Sequence, residues 1–141
     1  MDAMAISRTG LDVEWQRLQV IAQNLANLNT TRTGAGDPYR PMRLLSGPQV
    51  DFAHLVEAGD RKPAGVEVLG LEPMAGGGVR RVYEPGHPHA DADGFVTYPD
   101  VDHAAEMTLL IRTSRAYEAN LTAMSIAQQM YSRAAELGKQ A

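Results

Sequence analysis

The residues with the clearest capacity for chemistry form a short run of two histidines and two aspartates near the middle of the chain. These candidate metal ligands are His87, His89, Asp91 and Asp93. They do not match a calcium-binding loop, because Gly94 lies too close to Asp91 and Phe95 occupies a ligand position. A zinc site would need a further ligand from elsewhere in the chain. We therefore interpret the run as solvated loop residues and keep a small metal-dependent enzyme as the weakest alternative.

Other potential catalytic motifs are incomplete. His103 and Glu106 lack the second histidine of a zinc-protease helix, so helix-start polarity explains them better. The glycines at 34, 36 and 76–78 lack the Lys-Ser/Thr pair of a phosphate-binding loop, and neither group opens a helix after a strand. Nothing brings together a nucleophile, a base and an oxyanion donor. The sequence therefore predicts no enzyme, with no catalytic, cofactor-binding or metal-binding residue.

Composition limits the remaining function classes. With 141 residues, the chain has the size of one domain or of one helical unit with a small appendage. A formal net charge of −4 gives no basic surface for nucleic acid. The absence of cysteine excludes disulfides and a thiol nucleophile. Asp2 stands where a secretory signal carries bases, and no apolar run is long enough for a membrane span, so we expect neither a cleaved leader nor membrane insertion.

The longest stretch suited to a helix runs from Val101 to Leu137, without proline or glycine. One series of positions steps by three and four residues, as in a coiled coil. It comprises Met107, Leu110, Ser114, Tyr117, Leu121, Met124, Gln128, Tyr131 and Ala135. A second series lies beside it and comprises Leu109, Thr113, Ala116, Asn120, Ala123, Ala127, Met130, Ala134 and Leu137. Together they form one broad apolar face, which requires neighbours on more than one side.

Three residues of this face have more specific interpretations. We assign Tyr117 and Tyr131 to core packing. Asn120 is either a buried polar residue that fixes the register of the helices or an exposed one, and the sequence leaves both open.

Residues 3–28 predict a first helix of similar character. Its apolar series comprises Met4, Leu11, Trp15, Leu18, Ala22 and Leu25, widened by Ile6, Val13, Val20 and Ile21. Gly10 costs about 1 kcal/mol relative to alanine and weakens the first two turns. Asn27, Asn29 and Thr30 compete for backbone hydrogen bonds and end the helix.

All eight prolines lie between Pro38 and Pro99, so the middle of the chain cannot be one long helix. A turn-rich connector is predicted for residues 32–39. Strands are predicted for residues 41–46, 65–72 and 79–84, and the stretch 49–56 is ambiguous. Residues 85–99 predict an extended loop with a positive φ at Gly94, and Asp100 or Asp102 then caps the last helix. Gly138 is placed just beyond the end of that helix.

The predicted fold is mainly α with a small β insert. The long N- and C-terminal helices pair antiparallel as a coiled coil around a β-rich middle segment. The expected boundaries are 1–31 for the first helix, 32–99 for the connector and insert, and 100–141 for the last helix.

Several stretches resemble the flagellar rod and hook axial protein family. The end of the first helix, 17–30, is similar to that family's N-terminal signature, and 37–40 (DPYR) to the segment that follows it. Residues 65–68, 82–88, 90–96, 98–102, 106–107 and 114–120 resemble its middle and its C-terminal helix. The residues that we assign to the family motif are Asn24, Asn27, Pro38, Tyr39, Tyr83, Pro85 and Gly94.

The resemblance implies a structural subunit of the proximal rod of the bacterial flagellar basal body. Such subunits assemble helically, transmit torque and enclose the export channel. Implied partners are copies of the chain and homologous rod proteins (FlgB, FlgF and the adaptor FliE), together with the flagellar type III export apparatus. The implied location is the periplasm-spanning rod, reached without a cleaved signal.

The apolar series supply the expected assembly interface. Its residues are Leu11, Trp15, Leu18, Ile21, Leu25, Met107, Leu110, Tyr117, Asn120, Leu121, Met124 and Tyr131. The main alternative is a cytoplasmic coiled-coil adaptor or regulator, which would need only one apolar series on each helix.

Overall fold

The computed structural model describes residues 3–49, 64–76 and 78–139. Within these ranges, two helices flank two small two-stranded sheets. The elements are α1 (Ala3–Ala26), β1 (Met42–Pro48), β2 (Val66–Pro73), β3 (Val79–Tyr83), β4 (Phe95–Pro99) and α2 (His103–Lys139). The predicted mainly helical fold with a small β insert is confirmed.

Polar side chains form hydrogen bonds at the C-terminal end of α1 and at the N-terminal end of α2. Asn27 follows α1, donates from Nδ2 to the Gln23 carbonyl at 2.8 Å and accepts from the Thr30 hydroxyl at 2.9 Å. The side chain of Asp102 accepts from the Ala105 N–H at 3.1 Å, so Asp102 is the N-cap of α2.

The prediction for Gly138 is wrong, because α2 continues to Lys139. Glycine adopts helical as readily as left-handed dihedrals, and Gly138 adopts the helical ones.

The strands pair in two separate sheets, β1 with β2 and β3 with β4. The pairing of β3 with β4 is antiparallel and places Val82 opposite Val96. Strands were predicted near β1, β2 and β3, and these are confirmed. The prediction of an extended loop through residue 99 is wrong at its end, where Phe95–Pro99 forms β4. Most of the ambiguous stretch at 49–56 lies outside the described residues.

A tight turn precedes β4 and positions this strand for pairing with β3. The Asp91 side chain accepts hydrogen bonds from the N–H groups of Asp93 at 3.0 Å and Phe95 at 2.9 Å, and it also forms an ion pair with Arg81. The Phe95 hydrogen bond in particular, aided by Arg81, lowers the pKa of Asp91. Gly94 has a φ of +83°, as predicted. These contacts turn the chain so that β4 returns along β3.

The chain forms two compact units. One consists of the described residues within Met1–Gln16, Leu45–Gly70 and Arg112–Ala141, and the other of those within Arg17–Leu44 and Leu71–Ile111. Val13 is a buried apolar residue of the first unit. The second buries Val20, Ile21, Leu44 and Val96. In the described part of the chain, no helix is long and apolar enough to cross a membrane.

Candidate functional site

A buried amide lies at the C-terminal end of α1. The side chain of Asn24 is fully buried, in line with the apolar stripe of Val20 and Ile21. Its Nδ2 donates to the Met42 carbonyl at 2.9 Å and to Glu106 Oε2 at 3.2 Å. Its Oδ1 accepts from the Tyr39 hydroxyl at 3.0 Å and from the Met42 N–H at 3.0 Å. The amide therefore uses both of its donors and accepts two hydrogen bonds.

A buried carboxylate completes this cluster. Glu106 is 0% exposed, and Arg43 Nη2 lies 2.5 Å from its Oε1. This contact is an ion pair without the alignment of a hydrogen bond, because Oε1 has no hydrogen-bond partner among the described residues. A buried charge persists only when it is paired. Removal of Glu106 would therefore leave the Arg43 guanidinium without its counter-charge.

The Tyr39 hydroxyl is held in its neutral, donating form. Burial, and then the nearby Glu106 carboxylate, raise the pKa of Tyr39 above its ordinary value. The tyrosine comes from the connector, Asn24 from the end of α1, and Arg43 from β1. We call Asn24, Tyr39, Met42, Arg43 and Glu106 the Asn24 junction. The junction ties the end of α1, the connector, β1 and the start of α2 together.

Sequence reasoning missed the charged half of this junction. It assigned Glu106 to the polarity of a helix start, whereas the side chain is buried against Arg43 and Asn24. The available signal was Asn24 itself, a polar residue one turn beyond Val20 and Ile21 in the apolar stripe. Such a residue, once buried, requires polar partners from other elements.

In the other compact unit, the two helices meet at a glycine. Gly10 is buried, and a Cβ built on it would lie 2.7 Å from Asn120 Oδ1. Asn120 is half-buried and donates from Nδ2 to the Ala116 carbonyl at 3.0 Å. Our interpretation of Gly10 as a merely weakening residue was incomplete, because the space above it is occupied by Asn120. Gly10 permits the close approach of the helices at this point.

Two aromatic rings lie near this crossing. The ring centroids of Trp15 and Tyr117 are 6.3 Å apart, and the rings are tilted by 48°. Trp15 nevertheless remains 55% exposed. Together with Leu11 and Asp12, these rings line a shallow groove on the surface of the unit. We call it the Trp15 groove.

The start of β2 is attached to α1 in the same unit. The Thr9 hydroxyl accepts from the Val66 N–H at 3.0 Å and donates to the Ile6 carbonyl at 2.7 Å. A Cβ on Gly65 would lie 2.3 Å from Thr9 Oγ1, so only glycine fits there. This contact fixes where the sheet of β1 and β2 begins.

The residues of the expected assembly interface differ widely in exposure. Ile21 is only 1% exposed and packs within the chain. Those that are half-buried are Leu11, Leu18, Leu25, Leu110, Tyr117, Asn120 and Met124. Those that are exposed are Trp15, Met107, Leu121 and Tyr131. Tyr131 is 70% exposed in the single chain, so its assignment to core packing stays a prediction for the assembled helices.

Three side chains of the histidine–aspartate run, those of His87, His89 and Asp91, form polar contacts within the chain. His87 Nδ1 accepts from the His89 N–H at 3.0 Å, and His89 Nδ1 lies 2.7 Å from the Thr31 hydroxyl. Asp91 binds the turn and Arg81. Within the described ranges, no three histidine, aspartate or glutamate side chains are placed to hold a metal ion.

Comparison with known proteins finds relatives along almost the whole chain. A family model described as "Flagellar basal body rod FlgEFG protein C-terminal" matches residues 92–137. The chain is 36% identical over 134 residues to the flagellar basal-body rod protein FlgC of Salmonella typhimurium, covering 95% of this chain and 94% of that protein. It is 33% identical over 154 residues to FlgC of Bacillus subtilis, covering 97% of each. The chain belongs to the FlgC family of flagellar basal-body rod proteins.

Membership of the FlgC family makes this chain a structural subunit of the bacterial flagellar basal-body rod. The predicted family resemblance is therefore confirmed. The relatives are structural rod proteins, and the matches indicate no catalytic family. Family membership also supports assembly with other flagellar axial proteins.

The residues that we assigned to the family motif all lie in the second compact unit. Asn24 and Tyr39 belong to the Asn24 junction, and Asn27 ends α1. The ring of Tyr83 packs edge-on against that of Phe95, with centroids 5.3 Å apart. A Cβ on Gly94 would lie 2.9 Å from Tyr83 and 3.2 Å from Pro85, so both crowd the turn. Pro38 and Thr97 line the same surface cavity.

Proposed function

We propose that this FlgC-family chain builds the proximal part of the rod by helical assembly, and so transmits torque and encloses the export channel. One observation carries the proposal, namely the apolar surface that α2 leaves uncovered. The large apolar residues of this helix that are more than half exposed are Ile111, Leu121, Ile126, Met130, Tyr131 and Leu137.

The uncovered surface is concentrated in the last turns of α2. Every described side chain from residue 128 to 138 is exposed, on all sides of the helix. An isolated helical segment of this length is only marginally stable in water. Burial of one large apolar side chain gains about 1.5–3 kcal/mol, so neighbouring subunits could stabilise this segment by several such contacts.

The proposal includes antiparallel, coiled-coil pairing of the two helices. In the first unit, Gly10 lies against Asn120 and Trp15 against Tyr117, so residue numbers rise on α1 as they fall on α2. In the second unit, Asn24 contacts Glu106. These contacts support the pairing, and the repeating series on both helices supports its coiled-coil character.

We assign a role to each segment of the chain within the predicted boundaries. Residues 1–31 and 100–141 form the helical part that lines up with neighbouring subunits, and 32–99 form the connector and the β-rich insert on the outside. Support comes from the element bounds, since α1 and α2 lie inside the terminal segments and all four strands lie inside the middle one.

The proposed partners are copies of this chain, the homologous rod proteins FlgB and FlgF, the adaptor FliE and the flagellar type III export apparatus. The chain acts without catalysis or cofactor and reaches the periplasm-spanning rod without a cleaved signal. Support comes from the named relatives, which are flagellar basal-body rod proteins along 94% and 97% of their own lengths.

The test is deletion and complementation in the source bacterium, followed by electron cryo-microscopy of purified basal bodies. We expect the deletion strain to be non-motile and to lack a complete rod, and the wild-type chain to restore both. In the map of the complemented strain, the two helices should trace as an antiparallel pair in the proximal rod. A motile deletion strain, or rods in which no density fits this chain, would contradict the proposal.

A further inference from the structure

The exposed end of α2 carries an ordered stripe rather than scattered apolar residues. Ile126, Met130, Arg133 and Leu137 follow one another at spacings of four, three and four, so they lie along one side of the helix. All four side chains are exposed. We call them the α2 stripe. It consists of three apolar side chains and one cation.

The Trp15 groove has the complementary composition. Leu11, Trp15 and Tyr117 supply apolar surface, and Asp12 supplies one anion. The side chains of Asp12 and Arg133 are both exposed, and neither side chain forms a hydrogen bond or an ion pair with another described residue. Three apolar groups with one anion therefore face the solvent in one place, and three apolar groups with one cation in another.

We propose that the α2 stripe of one copy docks into the Trp15 groove of the next copy, with Met130 on Trp15 and Arg133 beside Asp12. The spacing agrees with this register. Asp12 and Trp15 are three positions apart on α1, and Met130 and Arg133 are three positions apart on α2, so each separation corresponds to about 4.5 Å of helix rise. The docked helices run antiparallel, since Asp12 precedes Trp15 whereas Arg133 follows Met130. This inference rests on the proposed rod assembly and adds a specific contact to it.

The same chain cannot make this contact with itself. Gly10 lies against Asn120 and Trp15 against Tyr117, so Asp12 is level with the residues just before Asn120. Arg133 lies more than three helical turns beyond that point, about 20 Å along α2. The stripe and the groove are different surfaces of one chain, so their contact is head-to-tail and leaves a free stripe and a free groove at the ends. Such a contact propagates an open assembly.

The absence of cysteine allows a clean cross-linking test. Two differently tagged copies, one carrying Asp12→Cys and the other Arg133→Cys, are expressed together in the deletion strain, and isolated basal bodies are treated with a short bismaleimide. We expect a cross-linked dimer that contains both tags. A single chain carrying both substitutions should give a ladder of oligomers.

The matched control places a cysteine elsewhere on α2. Arg112→Cys lies on an exposed position of α2 far from the stripe, and its combination with Asp12→Cys should give no mixed dimer. The inference is overturned if Asp12→Cys and Arg133→Cys give no mixed dimer in assembled rods. It is also overturned if Asp12→Cys cross-links only to another axial protein, because the occupant would then not be a second copy.

Charge reversal separates this contact from the rod function itself. Asp12→Arg or Arg133→Asp alone places like charges together, and we expect the yield of complete rods to fall about tenfold, corresponding to about 1.4 kcal/mol. The double variant restores the opposite-charge pair and should recover most of that yield. If both single variants fail and the double variant does not recover, the contact is wrong while the chain remains a rod subunit. Failure of the rod proposal would instead appear as a motile deletion strain.

Discussion

The two ends of α2 differ in how far the rest of the chain buries them. At the start, Glu106 and Thr113 are buried, and Glu106 is held by Arg43 and Asn24. At the far end, Met130 is 67% and Leu137 70% exposed, although both are large and apolar. The chain therefore buries a charged residue and leaves apolar ones in water. This is the reverse of the usual distribution in a self-sufficient domain.

The difference indicates two separate tasks within one helix. Buried polar contacts require particular partners, so the Asn24 junction specifies how the chain's own elements meet. Apolar contacts are not directional, and an uncovered apolar surface of this kind marks an interaction site. A rod subunit needs both, because it must fix its own fold and still offer surface to its neighbours.

The largest effect on folding should follow from removing the buried charge. Glu106→Ala leaves Arg43 unpaired and takes an acceptor from Asn24, so we expect a loss of about 3–5 kcal/mol in the free energy of unfolding. Urea denaturation of the purified chain measures it. Glu136→Ala, at an exposed position of the same helix, is the control and should change stability by less than about 0.5 kcal/mol. Similar values for the two variants would remove the distinction between the ends of α2.

An intermediate effect is expected where the helices meet. In Gly10→Ala the new methyl group must displace the amide group at the end of the Asn120 side chain, at an expected cost of about 1–3 kcal/mol. The gain in helix propensity offsets about 1 kcal/mol of this, so we expect a net destabilisation of about 0–2 kcal/mol.

A double-mutant cycle identifies the cause. Adding Asn120→Ala should recover stability relative to Gly10→Ala alone, because the collision is removed. Gly34→Ala is the control, since nothing lies within 4 Å of a Cβ there. If Gly10→Ala stabilises the chain, the close approach at this glycine does not hold.

A smaller effect should follow from removing one hydrogen bond of the junction. Tyr39→Phe keeps the ring but deletes the hydroxyl that donates to Asn24 Oδ1. We expect a loss of about 0.5–1.5 kcal/mol by thermal or urea denaturation. Tyr131→Phe, at an exposed position of α2, is the matched control and should have no measurable effect on the isolated chain. Equal losses in the two variants would show that the junction hydroxyl has no special role.

The smallest effect on folding is expected at an exposed residue of α2. Leu121→Asp should change the stability of the isolated chain by less than about 0.5 kcal/mol, because Leu121 is already half in water. The same variant should abolish incorporation into the rod, because a carboxylate would be desolvated at the interface. Motility in soft agar and rod yield are the measurements. A motile strain carrying Leu121→Asp would show that this face makes no essential contact.

The sequence predicted the elements better than the contacts between them. The proline distribution and the apolar series located both helices, alternation located β2 and β3, and β1 was predicted as a short strand. Strand β4 was missed because its pairing depends on the turn that Asp91 and Gly94 build, which is not visible in a local pattern. Gly94 itself was predicted correctly because a positive φ is a local requirement.

The contacts between elements depend on partners that are distant in sequence. Asn24 and Glu106 are separated by 82 positions, and no periodicity relates them. Gly10 and Asn120 were each noted alone, but only the fold shows that one makes room for the other. Two of the motif residues that carried the resemblance, Asn24 and Tyr39, lie in these contacts. The resemblance did not show what the residues contact.

Amide hydrogen exchange on the isolated chain in dilute solution tests the central claim most directly. We expect the amides of residues 106–120 to exchange at least about 100-fold more slowly than those of 128–138, a difference of about 2.7 kcal/mol in local opening. The slow segment is held by the chain's own contacts, and the fast one lacks its neighbours. Equal, strong protection along the whole of α2 would show that the isolated chain already covers this helix, and the account would be wrong.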